Sequence, residues 1–123
     1  MTENIGRDIL TLPITAKAAL TGNTFCAPEA VDGTSDVGTS GDAVGGVVRD
    51  TIAAGKVGDK IVMGTAWVTT SANLASGDPV ACDTGGTARK ATTADIVVGT
   101  AIRNTNSGDL AEIGLSIFSA GIF

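Results

Sequence analysis

Carboxylates are the side chains with chemical potential that this chain gathers most closely. Asp32, Asp36 and Asp42 share one Gly-rich stretch, and flexible loops of that kind supply oxygen ligands to hard cations such as calcium. Their spacing lacks the alternate-residue pattern and the closing Glu of an EF-hand loop, so the stretch reads as a solvated, turn-rich loop. The sequence has no His, which leaves its serines without the usual base for nucleophilic work. Gly45-Gly46 and Gly85-Gly86 suggest phosphate-binding loops, yet neither leads into Gly-Lys-Ser/Thr. Gly85-Gly86, with Arg89-Lys90 beyond it, reads instead as a hairpin turn. Cys26 and Cys82 lie far apart and read as small, unpaired buried hydrophobes in a reducing compartment. The expectation is no enzyme, no catalytic residue, no cofactor and no metal.

The elements that would position any such residues are short strands. Gly-Asp recurs at 41–42, 58–59, 77–78 and 108–109, each time ahead of a run rich in Val, Ile, Ala and Thr. Glycine tolerates positive φ and aspartate bonds nearby backbone N–H groups, so the pair marks turns feeding strands. The strands read as 9–15, 24–27, 43–49, 60–70, 79–83, 88–92, 97–104 and 110–118. Eight short strands predict an all-β chain, a small barrel or sandwich, with an N-terminal arm. Three regions follow: 1–27 as an arm or edge strand, 28–42 as an acidic Gly/Ser/Thr-rich loop, and 43–123 as the barrel.

Composition narrows the partners. Net charge is −5, so the chain lacks the basic surface that a phosphate backbone requires, and nucleic acid is not expected as a partner. No stretch approaches a membrane span, and no membrane partner is expected. Hydrophobic residues reach 43% but aromatics only 3%, so the core must be built from Val, Ile, Leu and Ala, and a homo-oligomer is expected to supplement it. In the strand 60–70, Ile61, Met63, Thr65 and Trp67 alternate with Val62, Gly64, Ala66 and Val68. Both faces are largely apolar, which makes Trp67 and Met63 residues of the core or of an oligomer interface. Residues 1–27 carry Ile5, Ile9, Leu10, Leu12, Ile14 and Leu20 around Pro13, a residue found at strand edges or in extended segments. This segment either completes the barrel or reaches out to a partner.

The order of these segments resembles a known family. Val44-Gly45-Gly46-Val47-Val48, the stretch Asp50 to Gly55, Gly58-Asp59 and the run from Ile61 to Val68 are similar to the middle of the small capsid decoration, or cement, proteins of tailed bacteriophages. Gly77-Asp78-Pro79-Val80, Lys90-Ala91-Thr92-Thr93, the strand Ile96 to Ala101, Gly108-Asp109 and the strand Leu110 to Phe118 follow that family's second half. The resemblance implies a structural virion protein on the outer capsid surface, present in the host cytoplasm during assembly. Its implied partners are the major capsid protein and further copies of itself as a homotrimer, and its implied task is capsid stabilisation. The arm, through Ile5, Arg7, Ile9, Leu10, Leu12 and Ile14, is the expected capsid contact. Two alternatives stand beside it: another phage structural module, such as a head-fibre base or tail protein, and a small ligand-binding β-barrel.

Overall fold

The computed structural model describes residues 8–28, 34–117 and 121–122. They form eleven strands where eight were expected: β1 (Asp8–Ala16), β2 (Phe25–Pro28), β3 (Thr34–Val37), β4 (Gly46–Val48), β5 (Val57–Thr69), β6 (Pro79–Cys82), β7 (Ala88–Lys90), β8 (Ile96–Val97), β9 (Gly99–Ala101), β10 (Leu110–Leu115) and β11 (Gly121–Ile122). Hydrogen bonding runs β1–β3–β2–β4–β5–β10–β9–β6–β7, and β1 also pairs with β5. That second pairing closes β1, β3, β2, β4 and β5 into a small five-stranded barrel, from which β10, β9, β6 and β7 extend as a sheet, while β8 and β11 pair separately. The fold is all-β, as expected.

β1 settles the choice left open for its segment. It lies antiparallel to β5 from Asp8↔Gly64 to Thr15↔Val57 and parallel to β3 at Thr15↔Thr34 and Ala16↔Ser35. Residues 8–16 are therefore barrel structure, and the preceding part of the expected arm, residues 1–7, lies outside the described residues. The acidic stretch also differs from expectation, because β3 lies within it. β3 carries no apolar periodicity, since the side chain it buries is Ser35 at 2% exposure. Strand 97–104 divides into β8 and β9 at Val98, whose N–H donates to the Val80 carbonyl while its own carbonyl accepts from Ser116.

Two cores result. Ile14, Ala16, Leu20, Cys26, Val48 and Ile52 fill the smaller one, and the facing bridge Leu20↔Ile52 joins two of them. Phe25, Val47 and Ile61, each next in sequence to a residue buried on the other side, join Ala66, Val68, Val80, Cys82, Val98, Ala101, Ala111 and Ile113 in the larger core. β5 serves both regions because it reverses its faces midway. Ile61 packs into the larger core from an odd position, Ala66 and Val68 from even ones, and between them Gly64 has φ +96, beside register shifts in the β1 pairing. A glycine in a strand interior is a common site for such a bulge. The single alternating face expected for Ile61, Met63, Thr65 and Trp67 does not exist: Trp67 points away from the core that Ile61 enters.

Candidate interaction surface

Turn chemistry fixes the loops around the sheet. Gly41, Gly77 and Gly108 all have positive φ, as the Gly-Asp reading requires, and the Asp78 carboxylate accepts from the Ala75 N–H at 2.9 Å. Gly58-Asp59 is different, since it lies inside β5. Gly85 and Gly86 form a single 3-10 turn, Thr84–Gly86, between β6 and β7, so the turn expected there is present.

The expected cation ligands do not converge. Asp32 lies outside the described residues. The Asp36 carboxylate accepts from the Val37 N–H, and Asp42 accepts from the Thr39 hydroxyl at 2.8 Å. Among the described residues, no three His, Cys, Asp or Glu side chains are grouped to hold a metal ion, and no helix is long and apolar enough to cross a membrane. Cys26 and Cys82 are free and buried. Burial pushes their thiols up to about 11 and about 12 respectively, which makes them inert packing groups.

The most connected polar group is a clasp that sequence reading missed. Arg89 donates to both Asp95 oxygens, one of them at 3.1 Å, and to the Ser40 hydroxyl at 3.2 Å. Its Nε lies 3.6 Å from the Asp83 carboxylate. Asp95 also accepts from the Thr92 N–H at 2.7 Å and the Thr92 hydroxyl at 2.9 Å. The Arg89 hydrogen bonds, followed by the Thr92 N–H, hold Asp95 far below the usual carboxylate range. The Ser71 hydroxyl lowers the Asp83 carboxyl below its ordinary value, helped by the Thr84 N–H and Arg89 and opposed by burial. The clasp ties the 39–42 loop to β7 and to the turn before β8, which is a structural task.

The residues proposed for contact separate into two places. Ile5 and Arg7 lie outside the described residues, as does the side chain of Ile9. Leu10 and Leu12 are 38% and 37% exposed, whereas Ile14 is 4% exposed and belongs to the smaller core. Met63, 42% exposed, sits directly opposite Leu10, so these two make a small apolar surface beside the barrel. Trp67 lies on the other region. It is half-buried on the face of β5 opposite the core, across from Glu112 of β10.

Glu112 is only 1% exposed. It accepts from the Thr65 hydroxyl at 3.2 Å, and Arg103 Nε reaches its other oxygen at 3.2 Å. The Arg103 guanidinium in turn lies over the Trp67 ring, 5.9 Å from its centroid, a cation–π arrangement. Around this stack Asn104, Thr105, Asn106, Asp109 and Leu110 line a depression of ≈ 370 Å³. Nothing in the strand Leu-Ala-Glu-Ile marks Glu112 as buried, since a charged residue at an alternating position reads as a solvent-facing one.

The arrangement defines a class: a small five-stranded barrel extended by a sheet, with a small exposed apolar pair, a polar depression and a loop clasp. No family model matches the sequence, and no curated protein matches it. In structure the chain is similar to the N base of head fiber gp8.5 of bacteriophage phi29, known from its crystal structure, with a TM-score of 0.73 and 16% sequence identity over 87% of this chain and 93% of that one. At that identity the likeness concerns the fold. It overturns the decoration, or cement, protein expectation and the homotrimer and capsid-stabilising role that came with it. The physical reason lies in the motifs that suggested them: Gly-Asp turns between Val/Ile/Thr strands are what any small barrel requires, so their order does not separate one phage module from another.

Proposed function

We propose that the chain is a phage structural module serving as the base of a head appendage, seated on the virion head against the major capsid protein. The observation that supports this reading is the near end-to-end correspondence with the head-fiber base, which covers 93% of that chain and leaves little of either fold unmatched. The build suits the task. Many backbone pairings, two cores and a clasped loop set give a rigid body, and a mounting block needs shape and contact surface rather than reactive groups. The apolar pair Leu10–Met63 is the surface proposed for capsid contact, taking over from the larger arm set now that Ile14 is known to be core.

Antibody-gold labelling of intact particles of the phage that encodes the chain tests this. The expected result is label at the head, at the foot of projecting fibres, with the purified protein co-sedimenting with heads that lack it. Label confined to the tail, or absence of the protein from purified virions, refutes the reading.

A further inference from the structure

We infer that the depression over the Arg103–Trp67 stack is a binding site for a neutral saccharide. The argument begins with Glu112. A carboxylate at 1% exposure within a strand is costly to bury and is supported only where its partners are well placed. Here its effect is to orient Arg103: Nε lies 3.2 Å from Glu112 Oε1 as an ion pair, without hydrogen-bond geometry, while the guanidinium lies over the indole. The side chain of Arg103 is nevertheless 58% exposed and lines the depression, so it can donate to a ligand there. An otherwise flexible side chain is thereby ordered before any ligand arrives, which lowers the entropic cost of binding.

The remaining lining groups select the ligand class. Asn106 offers both an amide donor and a carbonyl acceptor, and Asp109 a carboxylate acceptor; both residues are exposed at the rim. Donors and acceptors thus stand together around the guanidinium–indole stack. Sugar hydroxyls, which donate and accept at once, match that mixture of donors and acceptors. An anion does not fit as well. Arg103 is neutralised by Glu112, Asp109 adds a negative charge, and the chain carries −5 overall, so the local field opposes it. The volume of ≈ 370 Å³ lies in the range of small-ligand sites, roughly 300–1,000 Å³. This inference does not depend on the head-base reading.

The chain contains one tryptophan, Trp67, so intrinsic fluorescence reports directly from the site. D-glucose, D-galactose and N-acetyl-D-glucosamine are titrated separately into the full chain, with sodium acetate and inorganic phosphate as anionic controls at matched ionic strength. At least one sugar is expected to give a saturable change in Trp67 emission that neither anion produces. Asp109→Ala and Asn106→Ala, at exposed turn positions, are expected to keep the thermal midpoint and to weaken that binding at least tenfold. Absence of saturation with all three sugars overturns the proposal, as does saturation by acetate or phosphate, or unchanged sugar affinity in both variants. A change produced only by capsid protein overturns it in favour of a protein interface.

Discussion

Alanine at Gly58 distinguishes two reasons for a glycine. If Gly58-Asp59 were a turn, the glycine would supply positive φ, and any side chain would be strained there regardless of its neighbours. In the structure Gly58 sits in β5 opposite Ile14, and a Cβ added to it would lie 2.5 Å from Ile52 Cγ1 and closer still to Cδ1. Carbon atoms rest at about 3.5–4.0 Å, so Ile52, 5% exposed in the smaller core, would have to withdraw by about 1 Å. Overpacking of this kind costs about 1–3 kcal/mol, partly offset by the ~0.4–1 kcal/mol that alanine contributes by restricting the unfolded chain. Gly58→Ala is therefore expected to destabilise by about 1–2 kcal/mol. Ile52→Ala alone should cost about 2–5 kcal/mol through its cavity. In the double variant the new methyl meets no Ile52 side chain and refills part of that cavity, so the total should fall short of the sum by about 1–2 kcal/mol. Urea unfolding followed by far-ultraviolet circular dichroism, with an unchanged m-value, measures all three. Costs that add to within about 0.5 kcal/mol would refute the close-approach account.

Other consequences are as direct. The folded-state pKa values of Asp95 and Asp83 lie below their ordinary value of 3.8, so the stability they contribute is complete above about pH 5 and is lost as pH falls through 3.8 and below; Asp95→Asn should flatten the acid limb of a plot of thermal midpoint against pH. Ile14→Ala should cost about 2–5 kcal/mol, whereas Leu10→Ala, at a half-exposed site, should cost less than about 1 kcal/mol; thermal melts of the two variants compare core with surface along one strand. Ellman's reagent should label Cys26 and Cys82 at once in denaturant and only at the unfolding rate in native buffer, and rapid native labelling would contradict their burial. EDTA should leave the thermal midpoint unchanged, and a fall of several degrees would reveal a bound cation.

The strands were legible in the sequence because β-branched runs and Gly-Asp turns are local signals. What joins the strands is not local. That β1 returns to pair with β5 and close the barrel depends on contacts between residues such as Leu12 and Lys60, and no turn pattern encodes them. β3 was hidden because a strand that buries Ser35 and exposes Val37 inverts the polarity that strand patterns rely on. The reversal of β5 did leave a trace, in Gly64 standing inside an otherwise β-branched run, and reading it as a bulge would have separated Ile61 from Trp67. The Arg103–Glu112–Trp67 stack left none, since its parts come from three strand and loop segments that meet only in the folded sheet. The clasp of Arg89 with Asp83 and Asp95 was equally silent, because ordinary surface residues share its composition.

β5 carries the mechanical argument for a base. Its first half is held by β1 and β4 inside the barrel and its second half by β10 in the extending sheet. A force applied to either region therefore reaches the other through continuous backbone and the ladder hydrogen bonds on each side of the bulge. The bulge at Gly64 lets this one strand feed the larger core from both sides of the turn in its pleat, so the barrel and the sheet cannot hinge against each other without opening the packing of Ile61, Ala66 and Val68. The Arg89 clasp fastens the far side, where the 39–42 loop leaves the barrel and meets β7 and the turn before β8. A chain with one Trp and three Phe gains little from large aromatic cores, and it achieves stiffness instead by sharing a strand and pinning its loops. That is a construction suited to the proposed base, and it places the Leu10–Met63 surface and the Arg103 depression on separate regions of the fold.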